Sequence, residues 1–283
     1  MRKVLNPRKQ NSESIRQIER KNYLPFSFAQ ISERSVYSMK EKTDLASVKS
    51  VAVSLLMTDY HKTKMSPVVI QHPFTNTGIV QAEKDGIVQL VDITKSDADF
   101  RSWQTRMRGL IEKADNPYLI YMMCNKPYGL TFLKFAMPHL SREDFSKILS
   151  DAWIRSENPN SDPNLSKAKL LTMFRAADTA ILMDDKERAE LAGLDDTVTI
   201  YRGLTSHNAK NIRAMSWTLN YDTASWFAHR FDEDGTVYEA SIDKSNILAL
   251  FNGRNESEII VDPKHLMDIT EAEEPVAGMS ITQ

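Results

Sequence analysis

After a polar and irregular stretch over residues 1–40, apolar and polar residues alternate mainly at helical spacing as far as residue 183. In residues 43–60, for example, Leu45, Val48, Leu55 and Leu56 fall on one helical face, and Thr43 stands before them where a cap is expected. Between residues 66 and 94 the pattern changes to β-branched runs separated by Gly78 and by Asp85-Gly86, which predicts a small β-meander. Helical spacing returns afterwards and predicts five further helices, over Asp97–Lys113, 117–125, 129–137, Arg142–Arg155 and 165–183.

The last third has a different pattern of apolar and polar residues, in which short strand-like runs surround a single amphipathic helix at 222–230. The order predicts an α+β fold, with an accessory segment over 1–115 that holds a basic arm, a helix and the β-meander. A helical layer and a β-rich unit would follow over 116–270, and an acidic tail over 271–283. The predicted strands lie at 197–203, 214–218, 236–242, 246–251 and 257–261.

Composition narrows the class of protein without naming a partner. With 41% hydrophobic and 26% charged residues, the 283-residue chain is typical of a globular protein rather than a disordered one. Its net charge is −2, yet residues 1–21 hold seven basic side chains against two acidic ones. Such an arm suits the phosphates of RNA or DNA, and it equally suits a solvated terminus.

The compartment and the metal content are predicted from what the sequence lacks. The longest apolar run, Tyr118 to Cys124, is far below the roughly 18–20 residues of a membrane span, and the N-terminus has no signal-peptide core. The single cysteine, Cys124, fits a reducing compartment, so we expect a cytoplasmic protein without membrane association. The six histidines are scattered and no Cys-x-x-Cys occurs, so we expect no metal site.

Arginines and a tryptophan in the second predicted helix leave two interpretations open. Arg101, Arg106 and Arg108 flank Trp103, an arrangement that would suit a nucleic-acid patch. The same residues would also form the solvated face of a helix, which is the simpler interpretation.

Three short strings in the last third suggest chemistry together. Arg202-Gly203 ends one predicted strand, Ser216-Trp217-Thr218 ends the next, and Glu256-Ser257-Glu258 opens another. Two carboxylates on one face of a strand suit the cleavage of a glycosidic bond through an oxocarbenium-like state. A strand-end arginine can bind a diphosphate bidentately, and an aromatic ring such as Phe227 can stack on a flat heterocycle. No glycine-rich phosphate loop occurs, so a dinucleotide would be bound in a non-Rossmann manner.

This ordered set resembles the arginine–serine–glutamate motif of the cholera- and C3-type mono-ADP-ribosyltransferases. The resemblance covers the last 75 to 90 residues directly, with Phe227 eleven residues after the serine. It implies a split β-sandwich core with a helical layer, and NAD as the substrate. One difference is that the family usually has Ser-Thr-Ser where this chain has Ser-Trp-Thr, which leaves the packing around Trp217 open.

The resemblance assigns roles around NAD to five residues. Arg202 would hold the NAD phosphates, and the backbone of Gly203 would bind the nicotinamide amide. Ser216 would position the nicotinamide ribose and Glu258, while Phe227 would stack against nicotinamide. Glu258 would bond the ribose 2′-hydroxyl and stabilise the cationic sugar.

The remaining roles concern the acceptor of ADP-ribose. Glu256 would hold or deprotonate the acceptor nitrogen, the turn at 252–255 with Asn252 and Arg254 would face the acceptor, and Thr218 would support its strand. Trp226 is expected in the core, whereas Phe227 suits either the core or the nicotinamide site.

The acceptor and the biological setting stay open at this point. A Glu-x-Glu pair suits a protein arginine, and a nucleobase amine in RNA or DNA would need similar help. The resemblance further implies a toxin or phage-defence enzyme, or a phage-encoded effector, with an antitoxin-type inhibitory protein as a partner. Two rival functions are an NAD glycohydrolase and a non-catalytic binding module on the same fold.

Overall fold

A computed structural model describes residues 39–157 and 164–274, which form two compact units, one ending at Leu182 and the other beginning at Met183. The basic arm in residues 1–21 and the tail beyond residue 274 lie outside the described residues. Helices and antiparallel strands occupy largely separate stretches of the chain, which confirms the α+β class.

The first unit is mainly helical, and most of its predicted helices are confirmed. A side chain caps several of them, as where Ser141 accepts a hydrogen bond from the Asp144 backbone at 3.1 Å. The helices are α1 (Leu45–Leu56), α2 (Asp97–Lys113), α3 (Pro117–Met122), α4 (Gly129–Ala136), α5 (Arg142–Arg155), α6 (Lys167–Ala176) and α7 (Thr179–Leu182).

The single helix predicted over 165–183 is wrong, because the chain breaks between α6 and α7. The carboxylate of Asp178 accepts a hydrogen bond from the Ala180 backbone at 2.9 Å. The backbone N–H of Asp178 donates instead to the Ser146 hydroxyl at 2.7 Å. An aspartate that bonds its own backbone in this way starts a helix rather than continuing one.

The predicted β-meander is also wrong in its connectivity, because the segment forms two separate two-stranded sheets. The second is a hairpin whose turn, Asp85-Gly86, has φ values of 56° and 76°, as a tight two-residue turn requires. In the first sheet only Ile70–Gln71 of the apolar run is a strand, since the Val69 N–H bonds the Met65 carbonyl locally. The strands are β1 (His61–Lys62), β2 (Ile70–Gln71), β3 (Ile79–Lys84) and β4 (Ile87–Asp92).

The core of the first unit shows how the residues of α2 are arranged. Trp103 is 3% exposed and packs edge-on against the buried His72 ring, with 4.9 Å between the ring centres. The tryptophan therefore does not lie among the arginines, while Arg101 is exposed and Arg108 pairs with Glu112. This arrangement favours a solvated helix face over a nucleic-acid patch.

The predicted division after residue 115 falls inside the first unit. Helix α1 packs against α2, α3 and α4, and so joins the stretches before and after that position. No helix among the described residues combines the length and the apolar character that crossing a bilayer would require.

The second unit is built on one six-stranded antiparallel sheet. The strand order is β10-β7-β5-β6-β9-β8, in which β5-β6 and β9-β8 are consecutive along the chain and the other three pairs are not. All five predicted strands and the predicted helix are present, while α8 and β10 were not predicted. The elements are α8 (Asp185–Gly193), β5 (Thr197–Leu204), β6 (Ser216–Thr218), α9 (Tyr221–His229), β7 (Thr236–Asp243), β8 (Ile247–Phe251), β9 (Glu258–Val261) and β10 (Met267–Glu271).

Candidate active site

Three strands that are adjacent in the second unit bring the three motif residues together. Arg202 lies on β5, Ser216 begins β6 and Glu258 begins β9. The Arg202 guanidinium donates from Nη1 to the backbone carbonyl of Ser216 at 2.5 Å. The Ser216 hydroxyl donates in turn to Oε1 of Glu258, also at 2.5 Å. Residues separated by up to 56 positions in the chain thus form one hydrogen-bonded series.

The sheet opens where this series begins. Strands β5 and β6 pair at Tyr201 and Thr218, and continuation of that register would set Gly203 opposite Ser216. Instead, the Arg202 side chain donates a hydrogen bond to the Ser216 carbonyl, which in a regular sheet would accept one from the backbone of a neighbouring strand. The guanidinium is therefore held where the pairing of β5 with β6 stops.

The charge environment of Arg202 favours an anionic ligand. Burial lowers the pKa of its guanidinium to about 10, the nearby Glu258 carboxylate opposes that shift, and the Arg230 guanidinium adds to it. The group is still a cation at neutral pH. Its Nε atom is buried and makes no hydrogen bond to any described residue. A buried donor that makes no hydrogen bond to a described residue, within the field of a second positive charge, is an arrangement that a phosphate oxygen would satisfy.

Gly203 allows helix α9 to lie directly on strand β5. A Cβ atom at residue 203 would lie 1.9 Å from the Ala224 carbonyl oxygen and 2.6 Å from the Ala228 nitrogen. Gly235 is equally close, since its Cβ would lie 2.2 Å from the Ala228 carbonyl oxygen. The resemblance gave Gly203 a backbone contact to nicotinamide, and the packing supplies a reason for glycine that is independent of any ligand.

The outer side of α9 carries an aromatic pair. Phe227 is half-buried and meets Trp226 edge-on at 5.0 Å between ring centres. The prediction that Trp226 is a core residue is wrong, because Trp226 is 63% exposed. Ala224 and Ala228 form the inner face, and a residue midway between positions four apart points away from it.

Arg230 is a candidate site residue that the sequence analysis missed. Its guanidinium carbon lies 5.2 Å from the centre of the Phe227 ring, within cation–π range, and its charge acts on Arg202. One feature of the sequence could have identified Arg230. It stands three residues after Phe227 at the end of a predicted helix, and side chains three positions apart on a helix are neighbours.

The two glutamates come together, but not in the way predicted. Glu258 opens β9 and is 6% exposed, whereas Glu256 precedes the strand and Ser257 has a left-handed φ of 42°. The period-two argument for a Glu-x-Glu on a strand is therefore wrong here. The link is Arg254, whose Nη2 lies 3.0 Å from Oε2 of Glu256 and 3.5 Å from Oε2 of Glu258.

The turn that carries Glu256 is anchored at both ends. The buried Thr218 hydroxyl donates to the Glu256 carbonyl at 2.6 Å, which gives Thr218 a positioning role. At the other end, the Asn252 backbone N–H donates to Glu187 at 2.7 Å, and the Asn252 amide donates to Glu190 at 2.5 Å. Of the residues predicted to face the acceptor, Asn252 is thus bonded to α8, and Arg254 is paired with the two carboxylates.

The tryptophan at position 217, where the family motif usually has threonine, does not disturb the site. Trp217 is 2% exposed, pairs with Ile259 across the ladder, and donates from its indole N–H to the Ala214 carbonyl at 3.1 Å. The indole packs in the core, and the neighbouring Ser216 and Thr218 make their hydrogen bonds to Glu258 and to the Glu256 carbonyl.

A scan against protein-family models, a search of curated proteins and a search of solved structures each returned no match. The geometry of the second unit is therefore the basis of the functional argument.

Proposed function

We propose that the chain is a mono-ADP-ribosyltransferase that cleaves NAD and transfers ADP-ribose to a macromolecule. The observation that carries the proposal is the series from the Arg202 guanidinium through Ser216 to the Glu258 carboxylate. It joins, within one hydrogen-bonded group, a cation suited to a diphosphate and a carboxylate suited to a developing sugar cation.

In this proposal Arg202 and Arg230 bind the NAD diphosphate. The support is the buried Nε of Arg202, which makes no hydrogen bond to a described residue, together with the positive charge of Arg230, which acts on the same guanidinium. Phe227, half-buried and exposed on one side of α9, stacks against the nicotinamide ring.

Glu258 acts on the nicotinamide ribose. The Ser216 hydroxyl donates to Oε1, which fixes the direction of the carboxylate. Oε2, which faces Nη2 of Arg254 at 3.5 Å, accepts from the ribose 2′-hydroxyl as a further donor. As the bond to nicotinamide lengthens, the negative carboxylate stabilises the positive charge that develops on the sugar. Glu256 stands beside Glu258, is more exposed, and takes the proton from the incoming nucleophile.

The proposal extends to the fold and the setting. The described strands of the second unit form one six-stranded sheet in which β5 and β6 share a single residue pair, and in this proposal that sheet is the core of a split-sandwich transferase fold. We further propose a cytoplasmic enzyme that acts on a protein or nucleic-acid acceptor, in a toxin or phage-effector setting with an antitoxin-type partner. These last points rest on the sequence resemblance alone.

The test is incubation with NAD labelled in its adenylate part, together with a cell lysate as the source of acceptors. We expect label in macromolecules with the wild-type chain, and a loss of both nicotinamide release and transfer of about 10²–10⁴-fold with Glu258→Gln. A matched control is Glu239→Gln, which removes a partly exposed carboxylate from β7 of the same sheet and should leave both rates unchanged.

The outcomes separate the candidate functions. Near-wild-type transfer by Glu258→Gln would show that this carboxylate has no part in the mechanism and would overturn the proposal. Release of nicotinamide without macromolecular label would identify an NAD glycohydrolase. If calorimetry detected no NAD binding, a non-catalytic binding module would be the remaining function. Digestion of the labelled material with protease or with nuclease then assigns the acceptor class.

A further inference from the structure

The acceptor side of the candidate site already holds a guanidinium that belongs to the chain itself. Nη2 of Arg254 lies 3.0 Å from Glu256 and 3.5 Å from Glu258, so one nitrogen contacts both carboxylates. The three side chains differ in exposure, at 33% for Arg254, 23% for Glu256 and 8% for Glu258. The arginine thus enters from the solvent side, and the deepest group is the carboxylate assigned to the sugar.

Hydrogen bonds at both ends of the turn fix the backbone that carries Arg254. It begins at Asn252, which makes two hydrogen bonds to α8, and the Asn255 N–H closes it on the Asn252 carbonyl at 2.8 Å. It ends where the Leu219 N–H donates to the Ser257 carbonyl at 3.1 Å. Because both ends are fixed, the Arg254 side chain reaches the carboxylates of its own chain without any rearrangement of the backbone.

We propose that Arg254 is a self-modification site, ADP-ribosylated at Nη2 by the carboxylates of its own chain. The inference rests on the proposed function. A nitrogen nucleophile held between the base and the sugar-stabilising carboxylate is positioned for attack on the anomeric carbon once NAD is bound.

The step balances without any further reactant. A bond forms between Nη2 and the anomeric carbon, and the bond from that carbon to the nicotinamide nitrogen breaks. The electron pair of the broken bond neutralises the pyridinium, so that neutral nicotinamide leaves. One Nη2 proton passes to Glu256, which later loses it to water, and the substituted guanidinium keeps its single positive charge.

Modification would change the site in a defined way. The ADP-ribose group would be tethered beside Glu256 and Glu258, where an external acceptor has to bind. We therefore expect one ADP-ribose per chain and a decline in transfer to other acceptors as the modified fraction grows.

The experiment is peptide mass spectrometry of the full chain after incubation with NAD, without any other acceptor. We expect a single ADP-ribose on the peptide that contains Arg254, with the modified fraction rising at a rate independent of protein concentration. Arg254→Lys should abolish this adduct, whereas Arg108→Lys, a matched change at an exposed arginine on α2, should leave it in place.

A mixing experiment tests whether the reaction stays within one chain. Wild-type protein is incubated with a mass-tagged Glu258→Gln chain, which keeps Arg254 but lacks the sugar-stabilising carboxylate. We expect modification of the wild-type chain alone, and equal modification of both chains would overturn the reaction within one chain.

The failures of the two proposals are distinguishable. Nicotinamide release or labelling of lysate proteins, with Arg254 unmodified throughout, would overturn self-modification and leave the transferase proposal standing. No nicotinamide release under any condition would overturn the transferase proposal itself.

Discussion

Replacing Gly203 with alanine tests whether helix α9 depends on direct contact with strand β5. The added methyl group would lie 1.9 Å from the Ala224 carbonyl oxygen and 2.6 Å from the Ala228 nitrogen. Both contacts are to backbone atoms, so no side chain can rotate away and the helix itself has to move. Overpacking of this kind costs about 1–3 kcal/mol, and we expect the upper end because the obstacle is a regular helix.

The matched control is Gly109→Ala, at a glycine inside helix α2. A Cβ atom there meets nothing within 4 Å, and the backbone is helical. Alanine should raise the free energy of unfolding at this position by roughly 0.5–1 kcal/mol, because it is the better helix former. The same chemical change is therefore expected to have opposite signs at the two positions.

Urea unfolding followed by circular dichroism measures both variants. We expect a lower midpoint for Gly203→Ala and a slightly higher one for Gly109→Ala, without a large change in slope. Loss of NAD binding should accompany the first change, since α9 also carries Phe227. A Gly203→Ala chain as stable as the wild type would refute the close packing of α9 on β5.

Three other predictions concern single groups. Ser216→Ala removes the donor to Glu258, a charge-assisted hydrogen bond worth about 1.5–3 kcal/mol, and should lower the rate constant of NAD cleavage about 10–100-fold in steady-state assays with little change in NAD affinity. Arg202→Lys keeps the charge but loses the fork-shaped donor set, so calorimetry should show NAD binding weakened about 10-fold or more, and unchanged affinity would argue against phosphate binding. Burial lowers the pKa of His72 to about 4 from 6.5, so the unfolded chain takes up the proton first as the pH falls. The free energy of unfolding should therefore decrease between pH 6.5 and pH 4, by up to about 3 kcal/mol in wild-type protein and by less in His72→Gln.

The sequence predicted those elements whose periodicity is strong and whose caps are local. Helix α2 and helix α5 were predicted with the bounds observed, since each has a serine at its N-cap and acidic residues in its first turn. Helix α8 was not predicted, because only Glu187 is buried along it, so no stripe of buried apolar residues marks it. The available signal was the capping box of Asp184 and Glu187, which the structure contains in full.

The three motif residues could be picked out from the sequence because each lies near the end of a predicted strand, and β-branched residues mark the strands of Arg202 and Glu258 clearly. The detailed geometry was not accessible. The left-handed backbone of Ser257 removes Glu256 from the strand, and no local pattern distinguishes that conformation from a regular one. The pairing of Arg254 with both glutamates depends on anchors at Asn252 and Thr218, which are tertiary contacts.

The exposed position of Trp226 was missed for a related reason. Aromatic residues at helical spacing usually pack inward, but Gly203 on β5 and Gly235 just before β7 bring α9 too close for any inner residue larger than alanine. The identity of the inward face was therefore decided by positions outside the helix, at Gly203 and Gly235.

The seating of α9 on backbone atoms has a consequence for how this protein can evolve. Since the inner face is limited to small residues, its sequence is constrained, while the outer face that holds Trp226 and Phe227 can change without moving the helix. Selection acting on the outer surface could alter what the protein recognises and still leave the Arg202 and Glu258 frame intact. Variation among related sequences should therefore concentrate at position 226 and be rare at positions 203, 224, 228 and 235.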